Sequence, residues 1–294
     1  MQRSHWNAYG CDMLITVYMP TKNRADMMQA AIESVLRQSY TNFELIVVND
    51  GSEDHTASVL ANACARDPRI RVITNQTSVG GAAARNLAIQ DARGEFVTGL
   101  DDDDEFMPDR LGTFVEAWKA YTSVPGDPPS CLYSQLNVVE FGKITHRTQK
   151  PRTATFEEMF AGNVVGNQIF APREHFIGAG LFNPALPAWQ DLEFFMRVLK
   201  KFGPGRLVDS ATYNFENSPR QDRISQKSEA KMRTAFEIVR DAHAGGNRRL
   251  TQQLYLQLFA RLYGIRPTAR DYLDFLRLGV WLPGLIRMTR ASVG

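Results

Sequence analysis

The sequence predicts a doubly wound α/β fold, in which parallel strands are joined by helices that cover both faces of the sheet. Two observations support this prediction. Short apolar runs alternate with helical segments through the first part of the chain, and each run ends in polar residues. Such alternation implies right-handed crossovers between parallel strands. With 294 residues and 44% hydrophobic content, the chain can bury a full core.

Each element of this first part is predicted from its own residue pattern. The strands are apolar runs rich in β-branched residues, such as MLITVYM and FELIVVN, and carboxylates near the following helix starts favour capping. The polar loops after the strands should lie side by side, because the carboxyl ends of parallel strands meet at one edge. The predicted strands are residues 13–19, 43–49, 69–74 and 95–100, and helices begin near Asp26, Asp54 and Ala82.

The second part of the chain has a mixed pattern. A turn-rich bridge at 121–130 separates the two parts, and the last of the elements beyond it are helical. The predicted elements are a strand at 132–141, a short helix at 156–160, a strand-like run at 164–171, a helix at 187–202, a polar Arg-rich loop at 215–231, and helices at 232–242, 250–263 and 269–290.

Four consecutive aspartates, Asp101 to Asp104, end the fourth predicted strand. Adjacent carboxylates repel one another, and a cation would relieve the repulsion. If the chain is extended there, Asp101 and Asp103 face one way and the other two face the opposite way, so at most two reach one ion. Sparse carboxylate ligation is typical of Mg²⁺ or Mn²⁺ shared with phosphates. The alternative is an acidic turn that caps a helix beginning near Pro108.

Composition excludes several classes of protein. The formal net charge of +2 is too small to indicate a nucleic-acid binder, and Cys11, Cys64 and Cys131 are too few and too far apart for a disulfide framework or a zinc site. No apolar stretch has the length of a spanning helix, and the N-terminus lacks the core of a signal peptide. We therefore expect a cytoplasmic protein, with a peripheral position on the inner face of the cell membrane as the alternative.

The charge is unevenly distributed. Residues 248–294 hold eight Arg, two Asp and no Lys or Glu, a net charge of +6, which leaves −4 for the rest of the chain. A basic end of this kind can lie against an anionic surface. The predicted helix at 269–290 is amphipathic and contains Trp281, so it either packs on the rest of the protein or docks on a membrane surface.

Five blocks together resemble the family 2 inverting glycosyltransferases of GT-A fold: MPTKNR, SVLRQSYTNFELIVVNDGS, GGAAARN, GEFVTGLDDDDEFMPDRL and WQDLEFFMRV. The resemblance covers about residues 13–230, and it is strongest with bacterial transferases of colanic acid and related surface polysaccharides or lipopolysaccharide. It implies a GT-A catalytic domain at 1–230, with a nucleotide-sugar half at about 13–121 and an acceptor half at about 131–230. A helical C-terminal extension, 231–294, follows.

The resemblance also implies a donor site. Asp103 would be the main metal ligand, with Asp101 near the ribose or a bound water and Asp102 at the variable position of the DxD motif. Asp50 would accept a hydrogen bond from a base N–H, although a capped turn is the local alternative. The remaining donor-binding candidates are Pro20, Thr21 and Arg24 around base and ribose, Arg85 as a further hydrogen-bond donor, and Arg220 and Arg223 in a loop that folds over the phosphates or is merely solvated.

On the acceptor side, the resemblance assigns the general base to Asp191, at a helix start. The more usual Glu-Asp pair is here Gln190-Asp191, and a simple helix-start carboxylate is the alternative. Glu193 is a second candidate. Trp189 would stack on an acceptor sugar or belong to the core or the rim.

The sequence thus predicts an inverting, Mg²⁺- or Mn²⁺-dependent glycosyltransferase. The expected donor is a UDP-sugar, with a dTDP-sugar such as dTDP-rhamnose as the alternative, and the expected acceptor is a lipid-linked glycan at the cytoplasmic leaflet. Two other classes are weighed against it. One is a nucleotidyltransferase, although the early Gly-rich basic loop of that class is missing, and the other is a non-catalytic nucleotide-sugar binder or scaffold.

Overall fold

The computed structural model describes residues 13–219 and 228–293, and the strands of this part form one mixed sheet. Its order is β3-β2-β1-β4-β9-β6-β10-β5, with β7 beside β6 and β8 beside β10. The first four strands are parallel, as predicted, whereas β9 is antiparallel to both β4 and β6. The strands are β1 (Ile15–Thr21), β2 (Phe43–Asp50), β3 (Ile70–Asn75), β4 (Phe96–Gly99), β5 (Glu105–Phe106), β6 (Leu132–Glu140), β7 (Lys143–Arg147), β8 (Thr153–Ala154), β9 (Phe170–Pro172) and β10 (Gly205–Glu216).

Helices cover both faces of this sheet and continue beyond it. The α-helices are α1 (Ala25–Leu36), α2 (Thr56–Arg66), α3 (Gly81–Asp91), α4 (Arg110–Ser123), α5 (Arg173–Gly178), α6 (Gln190–Phe202), α7 (Glu229–His243), α8 (Arg248–Gln257), α9 (Ala269–Arg277) and α10 (Leu282–Val293). Short 3₁₀ helices lie at Glu158–Phe160 and Arg261–Tyr263. Within the described ranges, none of the helices has both the length and the apolar character needed to cross a bilayer.

Alternation along the central strands creates two cores. Val17 and Met19 of β1 face a cluster formed with α1, α2 and α4, whereas Tyr18 faces a second cluster formed with α3, α5 and α6. Successive side chains of a strand point to opposite faces, so one apolar run supplies both clusters. This arrangement is the three-layer packing that the sequence predicts.

The strand β10 is missing from the predicted elements. It pairs in parallel with β6, and the register shifts between Val208 and Ala211 and again between Ala211 and Tyr213. Such irregularities break the alternation of apolar and polar residues on which strand prediction depends. The prediction of a strand at 164–171 is also wrong for most of its length, because β9 begins only at Phe170 and ends at Pro172.

The predicted single helix at 269–290 is wrong, since the chain forms α9 and α10 with a break between them. Gly279 has a φ of 131°, which a helix does not allow, and Pro283 follows in the first turn of α10. Pro283 lacks an N–H, and its ring would clash with the preceding turn of a continuous helix. Thr268 and Asp271 form a capping box that fixes the start of α9.

The C-terminal helices share the second core rather than forming one of their own. Leu254 and Phe259 are buried in the same cluster as α3 and α6. Gln257 donates hydrogen bonds to the carbonyls of Met159 and Phe160, at 3.0 and 2.8 Å. The C-terminal helices are therefore anchored to the sheet-containing part of the protein by apolar packing and by polar contacts.

The carboxyl end of β2 organises the loop that leads into α3. Asp50 accepts hydrogen bonds from Asn75 Nδ2 and Ser78 Oγ, at 2.8 and 2.6 Å. It also accepts bonds from the backbone N–H groups of Val79 and Gly80, at 2.8 and 2.9 Å. Burial alone would raise the pKa of Asp50, but these four bonds outweigh it and lower the pKa. Asp50 thus holds the loop that positions the start of α3.

We predict that Asp50→Asn lowers the free energy of unfolding by about 1–3 kcal/mol, because an amide nitrogen would face donors that now bond to a carboxylate oxygen. Urea denaturation measures this change. Glu53→Gln removes an exposed carboxylate nearby and should leave stability unchanged. An Asp50→Asn protein as stable as wild type but with weaker nucleotide binding would instead favour a contact with the base alone.

Candidate active site

The loops after β1 and β4 meet at the carboxyl edge of the sheet. Thr21 Oγ1 donates a hydrogen bond to Asp102 Oδ2 at 2.7 Å. Arg24 Nη1 contacts Asp102 Oδ1 at 3.0 Å and Asp103 Oδ2 at 3.2 Å. Pro20 lies within β1, directly beside Val48 of β2. The structure therefore brings two of the predicted base-and-ribose residues, Thr21 and Arg24, against the aspartates that follow β4, and it places Pro20 next to β2.

The four aspartates form a turn, so the extended path predicted for them is wrong, although Asp101 and Asp103 are still more exposed than Asp102 and Asp104. The N–H of Asp104 donates to the carbonyl of Asp101 at 3.1 Å, which folds the segment back on itself. The side chain of Asp104 points inward, accepting bonds from Tyr213 Oη at 2.7 Å and from the N–H of Glu216 at 2.8 Å. Asp101 instead contacts Arg85. The turn thus gives Asp101 and Asp104 separate partners, whereas Asp102 and Asp103 share Arg24.

The burial of these carboxylates separates them into two pairs. Burial raises the pKa of Asp102 to about 6 despite the nearby charge of Arg24, and it raises the pKa of Asp104 more strongly. The side chains of Asp101 and Asp103 are more accessible, with 23% and 19% of their surface exposed. These two are the first and last acids of the motif that the resemblance identifies.

The aspartate turn has the donor chemistry for a divalent cation shared with a ligand. Among the residues that the structure describes, no group of three or more His, Cys, Asp or Glu side chains is placed to hold a metal by itself. Asp101 and Asp103 could supply only a few carboxylate oxygens to a metal ion, and Arg24 already contacts Oδ2 of Asp103. Mg²⁺ and Mn²⁺ tolerate such sparse ligation when phosphate oxygens and water complete the shell, whereas Ca²⁺ needs more protein oxygens. The residues fit a metal that arrives with a diphosphate.

Arg85, on α3, connects this turn to the helix α6. Its Nη2 donates to Asp101 Oδ1 at 3.0 Å and its Nη1 to Gln190 Oε1 at 3.4 Å. Only 12% of the side chain is exposed, and the guanidinium lies 5.5 Å from the ring centre of Phe182. Burial alone would lower the pKa of Arg85, but the carboxylates of Asp191 and Asp101 hold it above its usual range. The cation therefore stays charged between two anionic groups.

Asp191 lies in the first turn of α6, where the helix dipole favours a carboxylate. Trp189, the residue before the helix, has a left-handed backbone with φ of 59°. Besides Arg85, the charge of Asp191 acts on Tyr18 and Tyr263: burial raises the pKa of both phenols, and Asp191 raises it further. Asp191 thus belongs to the same electrostatic cluster as the donor-side residues.

The other two acceptor-side candidates have different surroundings. The indole Nε1 of Trp189 donates to Tyr263 Oη at 3.0 Å, and the ring packs against the second core. Glu193 is only 4% exposed and pairs with Arg197 at 2.8 Å and His243 at 3.0 Å. Burial would raise the pKa of Glu193, but these partners lower it. The structure gives Glu193 a role in joining α6 to α7 and does not bring it to the cluster around Asp191.

The structure adds residues that the sequence does not single out. Tyr18 Oη donates a hydrogen bond to Gln168 Oε1 at 2.9 Å, and Tyr18 also interacts electrostatically with Arg85. A Cβ atom on Gly99 would lie 2.0 Å from that Gln168 oxygen and 2.4 Å from Tyr18 Cζ. The glycine within a buried strand is the available signal of this close approach. Nothing in the sequence points to Tyr263. The predicted donor residues Arg220 and Arg223 lie outside the described residues.

Known proteins resemble this chain in sequence and in architecture. The model of the family described as "Glycosyl transferase family 2" matches residues 16–153. WcaA of Escherichia coli K12, named as a colanic acid biosynthesis glycosyl transferase, is 35% identical over 204 residues, or 68% of this chain and 71% of WcaA. WfgD of Escherichia coli, named as a UDP-Glc:alpha-D-GlcNAc-diphosphoundecaprenol beta-1,3-glucosyltransferase, is 29% identical over 155 residues, or 53% of this chain and 58% of WfgD.

A solved structure extends the similarity to most of the chain. S. aureus TarS in complex with UDP-GlcNAc matches with a TM-score of 0.64 and 18% identity, covering 95% of this chain and 79% of the TarS chain. At this identity the likeness shows the fold alone, and it confirms the predicted Rossmann-like GT-A fold with a helical C-terminal region. The identity with WcaA extends well beyond the matched family region. The chain therefore belongs to glycosyl transferase family 2, and the predicted enzyme class, a glycosyltransferase, is confirmed.

Proposed function

We propose that this glycosyltransferase moves a sugar from UDP to a hydroxyl of a lipid-linked glycan during the synthesis of a bacterial surface polysaccharide. The name of WcaA supports the polysaccharide, and that of WfgD supports both a UDP-sugar and a polyprenol-linked acceptor. The solved complex of TarS with UDP-GlcNAc also supports a UDP-sugar. A dTDP-sugar is the alternative donor.

One observation carries the mechanism: Asp191 lies within electrostatic reach of Arg85, which also bonds to Asp101 in the aspartate turn. Transfer with inversion needs a base on the acceptor side and neutralising charge near the departing diphosphate. The cluster offers a carboxylate and a buried cation in this arrangement. A group that abstracts the acceptor proton must come within about 3 Å of the hydroxyl.

On the donor side, the chain's own residues bind and orient the nucleotide. Pro20, Thr21 and Arg24 border the space between the ends of β1 and β4, and Asp50 orders the adjacent loop. Asp102 accepts a hydrogen bond from Thr21 and pairs with Arg24, so its role is to hold Arg24 in place. Arg24 and Arg85 are two cations at this edge that diphosphate oxygens would meet.

A divalent cation would be held by Asp103, with Asp101 close by. When bound, it would stabilise the negative charge that develops on the leaving diphosphate. Arg24 donates a hydrogen bond to Oδ2 of Asp103 and would orient that carboxylate. The carboxylates that are buried, Asp102 and Asp104, have protein partners and lie behind this pair.

On the acceptor side, Asp191 would take the proton of the attacking hydroxyl. Trp189 lies two residues before Asp191, and Tyr263 holds its indole. In this proposal the indole forms one side, or wall, of the acceptor site beside the base. A general base typically contributes about 10²- to 10⁴-fold to the rate. The acceptor sugar would lie between this wall and the donor.

We predict that Asp191→Asn lowers kcat for transfer by at least about a hundredfold while the Kd for the nucleotide sugar stays within a few-fold of wild type. Steady-state kinetics and calorimetry measure the two quantities. Asp26→Asn changes a carboxylate in the first turn of α1, on an exposed side chain, and should leave both unchanged. Undiminished turnover by Asp191→Asn would remove this residue from the mechanism.

We predict that EDTA abolishes transfer and that Mn²⁺ restores it, because the carboxylates of the aspartate turn are anionic and would repel a diphosphate unless a divalent cation lies between them. In Asp103→Asn, calorimetric titration of Mn²⁺ into the nucleotide-loaded protein should show affinity at least about tenfold weaker than wild type. Asp209→Asn, at an exposed carboxylate on β10, is the control. Full activity in EDTA would contradict the metal site.

A further inference from the structure

Exposed apolar side chains are concentrated at the C-terminal end of the chain. Six of the twelve large hydrophobic side chains exposed in the described part of the protein lie between Leu262 and Ile286. We call five of these the C-terminal apolar surface; their exposed fractions range from 41% to 74%, and they are Leu273, Leu276, Val280, Leu282 and Ile286. Soluble domains rarely leave a cluster of this kind uncovered without a partner.

The two amphipathic helices divide their apolar residues between the protein and solvent. Phe275 is fully buried, and Trp281 stacks on it at 6.2 Å between ring centroids. Arg249 covers the Trp281 ring at 4.2 Å. The sequence leaves open whether Trp281 packs on the protein or enters a membrane interface, and the structure packs it against Phe275 of α9 and Arg249 of α8. Packing within the protein is therefore done by one set of residues, which leaves the C-terminal apolar surface exposed.

Arginines flank this surface. Arg270 and Arg277 share the carboxylate of Asp274, at 3.8 and 2.7 Å. Arg287 and Arg290, exposed on α10, have no carboxylate partner among the side chains that the structure describes. The surface consequently combines apolar residues with uncompensated positive charge. An anionic lipid bilayer offers the matching combination, because its headgroups attract arginine and its acyl boundary accepts leucine and isoleucine.

The segment that precedes α9 reaches Trp189 and Asp191, the proposed acceptor side of the active site. The 3₁₀ helix Arg261–Tyr263 exposes Leu262 to 60%, and the next residue, Tyr263, holds Trp189 beside Asp191. A bilayer in contact with this region would lie on the side from which a lipid-linked acceptor arrives.

We propose that the C-terminal apolar surface, with its flanking arginines, docks this enzyme on an anionic phospholipid bilayer and turns the acceptor side of the site toward the membrane. The proposal rests on the proposed lipid-linked acceptor. A second copy of the chain is a poorer occupant, because pairing the surface with itself would place arginines near arginines. Membrane binding requires apolar insertion and charge attraction together, and the surface supplies both.

Vesicle co-sedimentation with the full-length protein tests the proposal. Wild type should bind phosphatidylcholine vesicles that contain phosphatidylglycerol, bind pure phosphatidylcholine weakly, and lose affinity as salt is raised. The triple variant Leu276→Ser/Leu282→Ser/Ile286→Ser should bind vesicles with at least about tenfold lower affinity than wild type, because the apolar area that inserts is lost. The double variant Arg287→Gln/Arg290→Gln should bind more weakly and with a smaller salt effect.

The matched control is Phe141→Ser/Ile144→Ser, which removes two side chains that are 77% and 59% exposed around β7. It should bind vesicles like wild type, and all variants should keep the wild-type melting temperature. Triple-variant binding equal to that of wild type would overturn the proposal. So would a wild-type dimer in vesicle-free solution that the triple variant dissociates.

Activity separates this proposal from the proposed function. On a short-chain, water-soluble acceptor the triple variant should transfer sugar at the wild-type rate, whereas on a vesicle-embedded acceptor its rate should fall with its vesicle affinity. A wild-type protein that binds vesicles but transfers sugar to neither acceptor would contradict the proposed function and leave docking intact. Equal rates of both proteins on the embedded acceptor would overturn the role of docking.

Discussion

The buried cation of Arg85 is the interaction on which the rest of the site depends. It lies between Asp101, in the turn after β4, and Gln190 and Asp191, at the start of α6. A charged guanidinium with 12% of its surface exposed is tolerated only because anionic groups compensate its lost hydration. The same compensation connects the turn after β4 to the start of α6.

The surroundings of Arg85 are held by elements distant in the chain. Asp50 orders the loop before α3, which carries Arg85, and Tyr263 reaches back from the C-terminal region to Trp189. The C-terminal region is therefore connected to the start of α6 and also covers the sheet. Its buried residues share the second core, and its 3₁₀ helix holds Trp189. In the proposed docking, its exposed apolar residues contact the bilayer.

Much of this organisation could be predicted from the sequence, for identifiable reasons. Apolar runs mark the parallel strands, and parallel strands place Thr21, Asp50 and Asp101 at one edge. What could not be predicted depends on local geometry or on contacts between distant segments. Backbone hydrogen bonding turns Asp101 to Asp104 away from an extended path, and bulges obscure β10. The contact between Trp189 and Tyr263 spans 74 positions of the chain, and no periodicity reports it.

A double-mutant cycle between Arg85 and Asp191 tests the central claim most directly. Arg85→Met and Asp191→Asn are made singly and together, and the free energy of unfolding is measured by urea denaturation. The account predicts that the two changes together cost about 1–3 kcal/mol less than the sum of the single changes, because each leaves the other charge buried without compensation. Additive costs, within about 0.5 kcal/mol, would show that the two groups are independent and would contradict the account.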